Sequence, residues 1–142
     1  MRRLLLTLFL VSQLALGAAH AEAAVSPADM RSARAVVQAQ LDAFAADDAQ
    51  RAFSFAAPSL REAFGTADRF MRMVRASYPV VYRPSSVAFL VPEWFERELI
   101  QGVHFTDAQG VVWLALYRLQ RQRDHSWRIN GCELVESRSR TT

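Results

Sequence analysis

Downstream of the first 21 residues, the side chains with the most chemistry to offer are His104, His125, Cys132 and the three phenols Tyr78, Tyr82 and Tyr117. The two histidines stand apart, with no HExxH pattern and no paired spacing, so no metal site is expected. A single histidine in a strand more often makes a hydrogen bond than serves as ligand or base. No GxSxG sequence sets a nucleophilic serine on a tight turn, and the five scattered glycines form no phosphate-cradling loop. No cofactor is expected. Two classes of function remain. His104, or an acid such as Asp42, working with Tyr82 or Tyr117 as hydrogen-bond donor would make a small isomerase- or cyclase-type enzyme. Such an enzyme needs an acid and a base that converge, and the sequence places only one candidate with any definition. The preferred expectation is therefore a non-catalytic module that binds a small apolar or aromatic ligand, or a protein partner. Its candidate ligand-binding residues are His104, Trp113, Tyr117, Tyr82 and Arg83, with no catalytic residue named.

Cys132 has no second cysteine to pair with. Between Gly131 and Glu133 in the last extended run, it is read as a small apolar filler rather than a reactive thiol.

The chain opens with Arg2 and Arg3, continues through an apolar run from Leu4 to about Leu16, and reaches the small residues Ala19, His20 and Ala21. That order predicts a secretory signal peptide cleaved after about Ala21, with Ala23 as the rival cut, and a periplasmic or secreted product. The apolar run is too short to span a bilayer, so no membrane association is expected after cleavage. Removal of the segment takes two of the seventeen basic residues and none of the fourteen acids, which lowers the net charge from +3 to +1. The basic pI then offers no case for a nucleic-acid partner. The remaining residues, 22–142, are enough for one domain with its own core.

Four helical segments come first. Ser26, Pro27 and Asp29 form a capping box with proline in the first turn, and Met30, Ala33, Val37, Leu41 and Phe44 recur at helical spacing to about Ala46. Asp47 or Asp48 caps a short helix carrying Phe53 and Phe55. Ser59 with Glu62 reads as a further capping box closed by Gly65. Thr66 then starts a helix with Phe70, Met73, Val74 and Ser77 on one face and Arg69, Arg72 and Arg75 on a solvated one. Tyr78 precedes Pro79, which ends it.

Period two follows. Val87, Phe89 and Val91 alternate, and extended runs cover about Arg97 to Thr106, Val111 to Gln122 and Ser126 to Val135, with polar turns at 107–110 and 123–125. In YPVVYRP the prolines end the last helix and launch the first strand, Val80 and Val81 enter the core, and Tyr82 and Arg83 are left to rim a pocket. With Ala108 and Gln109 at the hairpin tip, His104 pairs with Trp113, Gly102 with Ala115 and Ile100 with Tyr117. A small pair flanked by aromatics would then leave a hollow in the sheet, a pocket unless helix aromatics plug it. Helices followed by an antiparallel meander of about four strands predict an α+β domain.

The run DAFAADDAQRAFSFAAPSLREAFGTADRFMRMVRASYPVVYRP, the turn TDAQG and the closing WRING resemble a family of small exported bacterial proteins, the domain of unknown function 4864 family. Its fold is similar to the nuclear transport factor 2-like superfold, a cone of helices over a bent antiparallel sheet. The resemblance implies export and that fold, with no established activity. Members of the wider superfold include isomerases, polyketide cyclases, dehydratases and binding modules, so fold alone names no function. The Asp-and-Tyr constellation of its isomerases has no motif match in this chain. One more expectation comes from the residues themselves. The strand from Val111 to Leu119 is apolar on both faces, and one helix layer covers only one of them, which predicts a homodimer through the sheet.

Overall fold

The structure is a computed structural model that describes residues 23–137. The expected signal peptide lies outside the described residues. The first helix, α1 (Pro27–Ala45), begins as its sequence dictates: Ser26 Oγ accepts the Asp29 N–H at 3.1 Å, and Pro27 gives up no hydrogen bond in the first turn. Its apolar stripe of Ala33, Val37, Leu41 and Phe44 is buried. Asp48 caps α2 (Ala49–Ser54) by accepting the Arg51 N–H, and Thr66 caps α4 (Ala67–Ser77) by accepting the Arg69 N–H.

Two proline-led starts depart from expectation for one reason. The helix α3 (Pro58–Phe64) is capped by Ala57, not Ser59. Pro58 takes the first helical position, where a missing N–H costs nothing, so Ser59 is already inside the helix. Its hydroxyl instead donates to Asn130 Oδ1 at 2.7 Å. Gly65 closes α3 at φ 76°, as expected. Pro79 ends α4 at Ser77 as expected and likewise opens another helical turn, α5 (Pro79–Tyr82), in the stretch read as a crossover to the first strand. Val80 and Val81 are buried in it as expected.

The helices pack on an open antiparallel sheet of five strands: β1 (Ser86–Phe89), β2 (Glu93–Phe95), β3 (Glu98–Thr106), β4 (Val112–Arg121) and β5 (Trp127–Glu136). The fold class is α+β. Its order is β1-β3-β4-β5, with β2 sharing the β1 side of β3. The sequence reading of about four strands missed β2. Glu96, at φ 55°, turns the chain so that Glu93–Phe95 folds back on Glu98–Ile100. In the gap between β1 and β2, the Gln101 amide donates to the carbonyls of Leu90 at 2.7 Å and Gly102 at 2.9 Å, which ties the irregular segment to β3.

The β3–β4 register is one residue away from the expected one. His104 pairs with Leu114, Phe105 with Trp113, Gly102 with Leu116 and Gln101 with Tyr117. The cause is local: Asp107 Oδ1 accepts the Gln109 and Val111 N–H groups, and Gly110 adopts φ 81°. The tip is thus the three residues Ala108, Gln109 and Gly110 rather than a two-residue turn. Since side chains alternate, the slip puts Gly102 and Ala115 on opposite faces. The expected hollow does not form: Ala115 is fully buried against the helices, and Leu90 lies over Gly102 on the other side. Leu99, Gln101, Val103, Phe105, Ala115, Tyr117 and Leu119 make the helix-facing floor of the core. Phe44, Phe53 and Phe64 all pack around Phe70 with ring centroids 5.4 to 6.0 Å apart, filling the centre above them.

Candidate functional site

A candidate cavity lies between α3, α4 and the free side of β5. It has a volume of about 900 Å³ and is partly open to solvent. Aromatic and aliphatic side chains from the helices (Phe44, Leu60, Phe64, Phe70, Met73 and Val74) form one wall. Tyr117, Ile129 and Cys132 line the cavity from the helix-facing side of the sheet, and Trp94, Phe95, Ile100 and Leu116 line it as well, the last three from the opposite face. The β5 backbone shapes this wall. A β-bulge inserts Asn130, so that Arg118 faces Gly131 while Leu119 faces Ile129. Before the bulge the edge is covered, because Ala57 N–H donates to the Ile129 carbonyl and Ile129 N–H to the Phe55 carbonyl. After it, Tyr78 Oη donates to the Cys132 carbonyl at 3.3 Å.

The polar groups of the deep wall are few and neutral. Gln40 Nε2 donates to the Ala52 carbonyl at 3.1 Å, which joins α1 to α2. The Asn130 amide accepts from Ser59 and donates to Glu98 Oε2 at 3.5 Å. The Tyr117 hydroxyl is fully buried with no hydrogen-bond partner, the one such side-chain atom among the described residues. Burial holds its proton in place, raising its pKa well above the ordinary phenol value, and the neighbouring Cys132 thiol reinforces the effect. That thiol is near enough to the hydroxyl to interact with it, though no well-formed hydrogen bond joins the two. Burial pushes the thiol itself up to about 12, the Tyr117 hydroxyl pulls it the other way, and the Glu133 carboxylate adds to the rise. At neutral pH it is a protonated, inert group. Charge is confined to the outer part of the cavity, where Glu93, Arg118 and Glu133 are exposed. Arg118 approaches Glu98 at 3.8 Å and lies over Gly131, where a side chain would displace it.

Of the five residues expected to bind a ligand, only Tyr117 lines this cavity. His104 is on the opposite face of the sheet, beside Ala88 and Leu114 in the pairing. Trp113 shares the face of Tyr117 but is held at the β3–β4 turn, its Nε1–H donating to Asp107 Oδ2 at 3.1 Å. Tyr82 and Arg83 belong to a surface clasp. Tyr82 Oη donates to Asp47 Oδ1, Arg75 and Arg83 each pair with Asp47 at 3.1 Å, and the Arg83 guanidinium sits 4.0 Å from the Tyr82 ring centroid. Arg83 Nη1 also donates to the Phe44 carbonyl at 2.7 Å, satisfying the end of α1. This clasp fixes the α1–α2 corner, with Asp47 at φ 54°, against α5. Asp42 is exposed on α1 and accepts from Gln38 Nε2 at 2.9 Å. No hydrogen bond joins His104 or Asp42 to Tyr82 or Tyr117; the carboxylate that Tyr82 meets is Asp47.

Sequence reasoning missed Gln40, Asn130 and the site role of Cys132. Gln40 left a legible trace, since it interrupts the apolar stripe of α1 between Val37 and Leu41. Asn130 left none, because only the bulge turns it toward the wall. Among the described residues no cluster of histidine, cysteine and carboxylate side chains is suited to a metal, and no helix is long and apolar enough to cross a membrane.

Neither a curated protein nor a solved structure matches the chain. A family model does: the one described as Domain of unknown function (DUF4864) matches residues 26–142, from the cap of α1 through the whole sheet, and the chain belongs to that family.

Proposed function

We propose that this protein is a non-catalytic exported module that binds a small, largely apolar molecule in the cavity between α3, α4 and β5. The observation that carries the reading is a half-open apolar cavity of about 900 Å³ with an unpartnered phenol on its wall. Its size falls in the range of small-molecule sites, and its lining follows their pattern of apolar walls with a few polar groups. An apolar ligand gains roughly 25 cal/mol for each Å² it removes from water, and it meets no charged side chain on the deep wall.

Binding is tested with N-phenyl-1-naphthylamine, a neutral apolar dye that fluoresces on leaving water. Saturation at one dye per chain is expected, together with a marked loss of affinity in Met73→Trp, which fills the half-buried wall. Absence of saturable binding to the wild type overturns the reading. Export rests on the order of residues 1–21, and mass spectrometry of the protein recovered from outside the cytoplasm is expected to find an N-terminus at Glu22 or Ala24. An intact Met1 on that material refutes it.

A further inference from the structure

Resting on the ligand-binding reading, a count of donors and acceptors around Tyr117 narrows the chemistry of the ligand. Buried polar side chains are almost always satisfied, and an exception calls for a missing water or ligand. The other polar groups of the deep wall are already committed: Tyr78 to the Cys132 carbonyl, Gln40 to the Ala52 carbonyl, and Asn130 to Ser59 and Glu98. The remaining neighbour, the protonated Cys132 thiol, is a weak donor and a poor acceptor. What the Tyr117 hydroxyl lacks is therefore an acceptor for its proton. An anionic acceptor is disfavoured, because a carboxylate brought here loses its hydration for one phenol hydrogen bond, and the nearest cation of the cavity, Arg118, is out at the exposed part beside Glu98.

We propose that the ligand is a neutral, largely apolar carbonyl compound whose oxygen accepts the hydrogen bond of Tyr117. The hydroxyl is shielded in the empty protein, so the carbonyl reaches it by a side-chain adjustment at the wall. Met73, half-buried and unbranched with three rotatable bonds, is suited to give way.

The test compares two neutral naphthalene dyes on the full chain without its leader. One is 6-propionyl-2-(dimethylamino)naphthalene, a ketone whose emission shifts to the red when its carbonyl accepts a hydrogen bond; the other is N-phenyl-1-naphthylamine, which has no carbonyl. In the wild type both dyes bind, and the ketone emits to the red of its position in a dry apolar solvent. In Tyr117→Phe the preference for the ketone over the amine falls by about tenfold, the worth of one neutral hydrogen bond, and the remaining bound ketone emits further to the blue. An unchanged preference in Tyr117→Phe, as a water on the hydroxyl would give, overturns the carbonyl proposal and leaves the cavity reading standing. Failure of both dyes to bind the wild type overturns the cavity reading and the proposal with it. A second measurement does not depend on the variant folding: the infrared carbonyl band of the ketone bound to the wild type moves to lower wavenumber than in hexane, and a band at the hexane position refutes the hydrogen bond.

Discussion

A single hydroxyl on β4 is the buried side-chain polar atom left without a partner among the described residues. Leaving the Tyr117 phenol buried and unpaired costs stability in the empty protein. Tyr117→Phe is accordingly expected to be more stable without ligand by about 1 kcal/mol, read as a higher midpoint in urea with unchanged slope. A lower midpoint would mean that the hydroxyl is already satisfied. Cys132 makes a separate prediction from the same wall. With its thiol held near 12, the native protein at pH 8 is expected to resist alkylation by iodoacetamide, and urea is expected to release the reaction. Rapid labelling of the native chain would contradict that burial. Asp47 titrates in the opposite sense. The hydrogen bond from Tyr82 does most to hold its carboxyl below the ordinary value; burial opposes it, and the hydrogen bond from Arg75 with the charges of Arg83 and Arg75 adds to the fall. A depressed native pKa means stability that is present above the unfolded value and lost as pH falls through the native one. The clasp is thus expected to persist through mild acid, and an NMR titration of the Asp47 carboxyl should show a midpoint below that of free aspartate. Asp47→Asn should remove this acid-sensitive contribution.

Among the elements, the helix starts were the most legible. Ser26, Asp48 and Thr66 each cap where a short polar side chain precedes an apolar periodic run, because the interaction spans only three residues. Ser59 failed as a cap because Pro58 competes for the helix start, and that competition is also local. The β3–β4 pairing was legible as a hairpin but not in register, since Asp107 and Gly110 consume one extra residue in a turn that reads equally well without it. The corrected register has consequences for stability. Ala115 is fully buried against Val103 and Leu134 in the ladder, so Ala115→Leu is expected to destabilise by about 1 to 3 kcal/mol through overpacking. An unchanged melting temperature would mean that the central floor has room after all. At Gly102 a Cβ would meet Leu90 Cδ1 at 3.0 Å and Leu90 Cβ at 3.4 Å. Leu90 is partly exposed and can yield, which puts the expected cost of Gly102→Ala near the low end, about 1 kcal/mol.

At the scale of the whole molecule, the described residues leave one face of the sheet without a helix layer. Ile100, Leu114 and Leu116 are half-buried there, and Phe95 and Val135 on the same face are 62% and 46% exposed. Apolar surface of this kind supports the homodimer proposed from the β4 sequence, in which a second copy covers the face. Sedimentation at tens of micromolar is expected to show a dimer that Leu114→Glu dissociates. A monomer at that concentration would mean that the face stays wet, with His104 in it.

Local physics was enough for the sequence alone to determine the α+β class, the caps of α1 and α4, the cap of α2 to within Asp47 or Asp48, and the burial of Val80 and Val81. Each of these follows from periodicity, a proline or a capping side chain acting within a few residues. The family resemblance, shown over residues 26–142, was likewise carried by short stretches such as FGTADRF and WRING. The site was a different matter, because it depends on which residues of distant segments share a face. One extra residue at the Asp107 turn moved His104 to the far side of the sheet, and a one-residue bulge at Asn130 shaped the wall that Cys132 and Tyr117 share. Tyr82 and Arg83, polar and adjacent to a predicted pocket, were drawn away by Asp47, thirty-five residues earlier than Tyr82. Only the tertiary structure decides such outcomes: alternation on a strand turns a shift of one residue into a change of face, and an ion pair closes wherever packing brings its partners together.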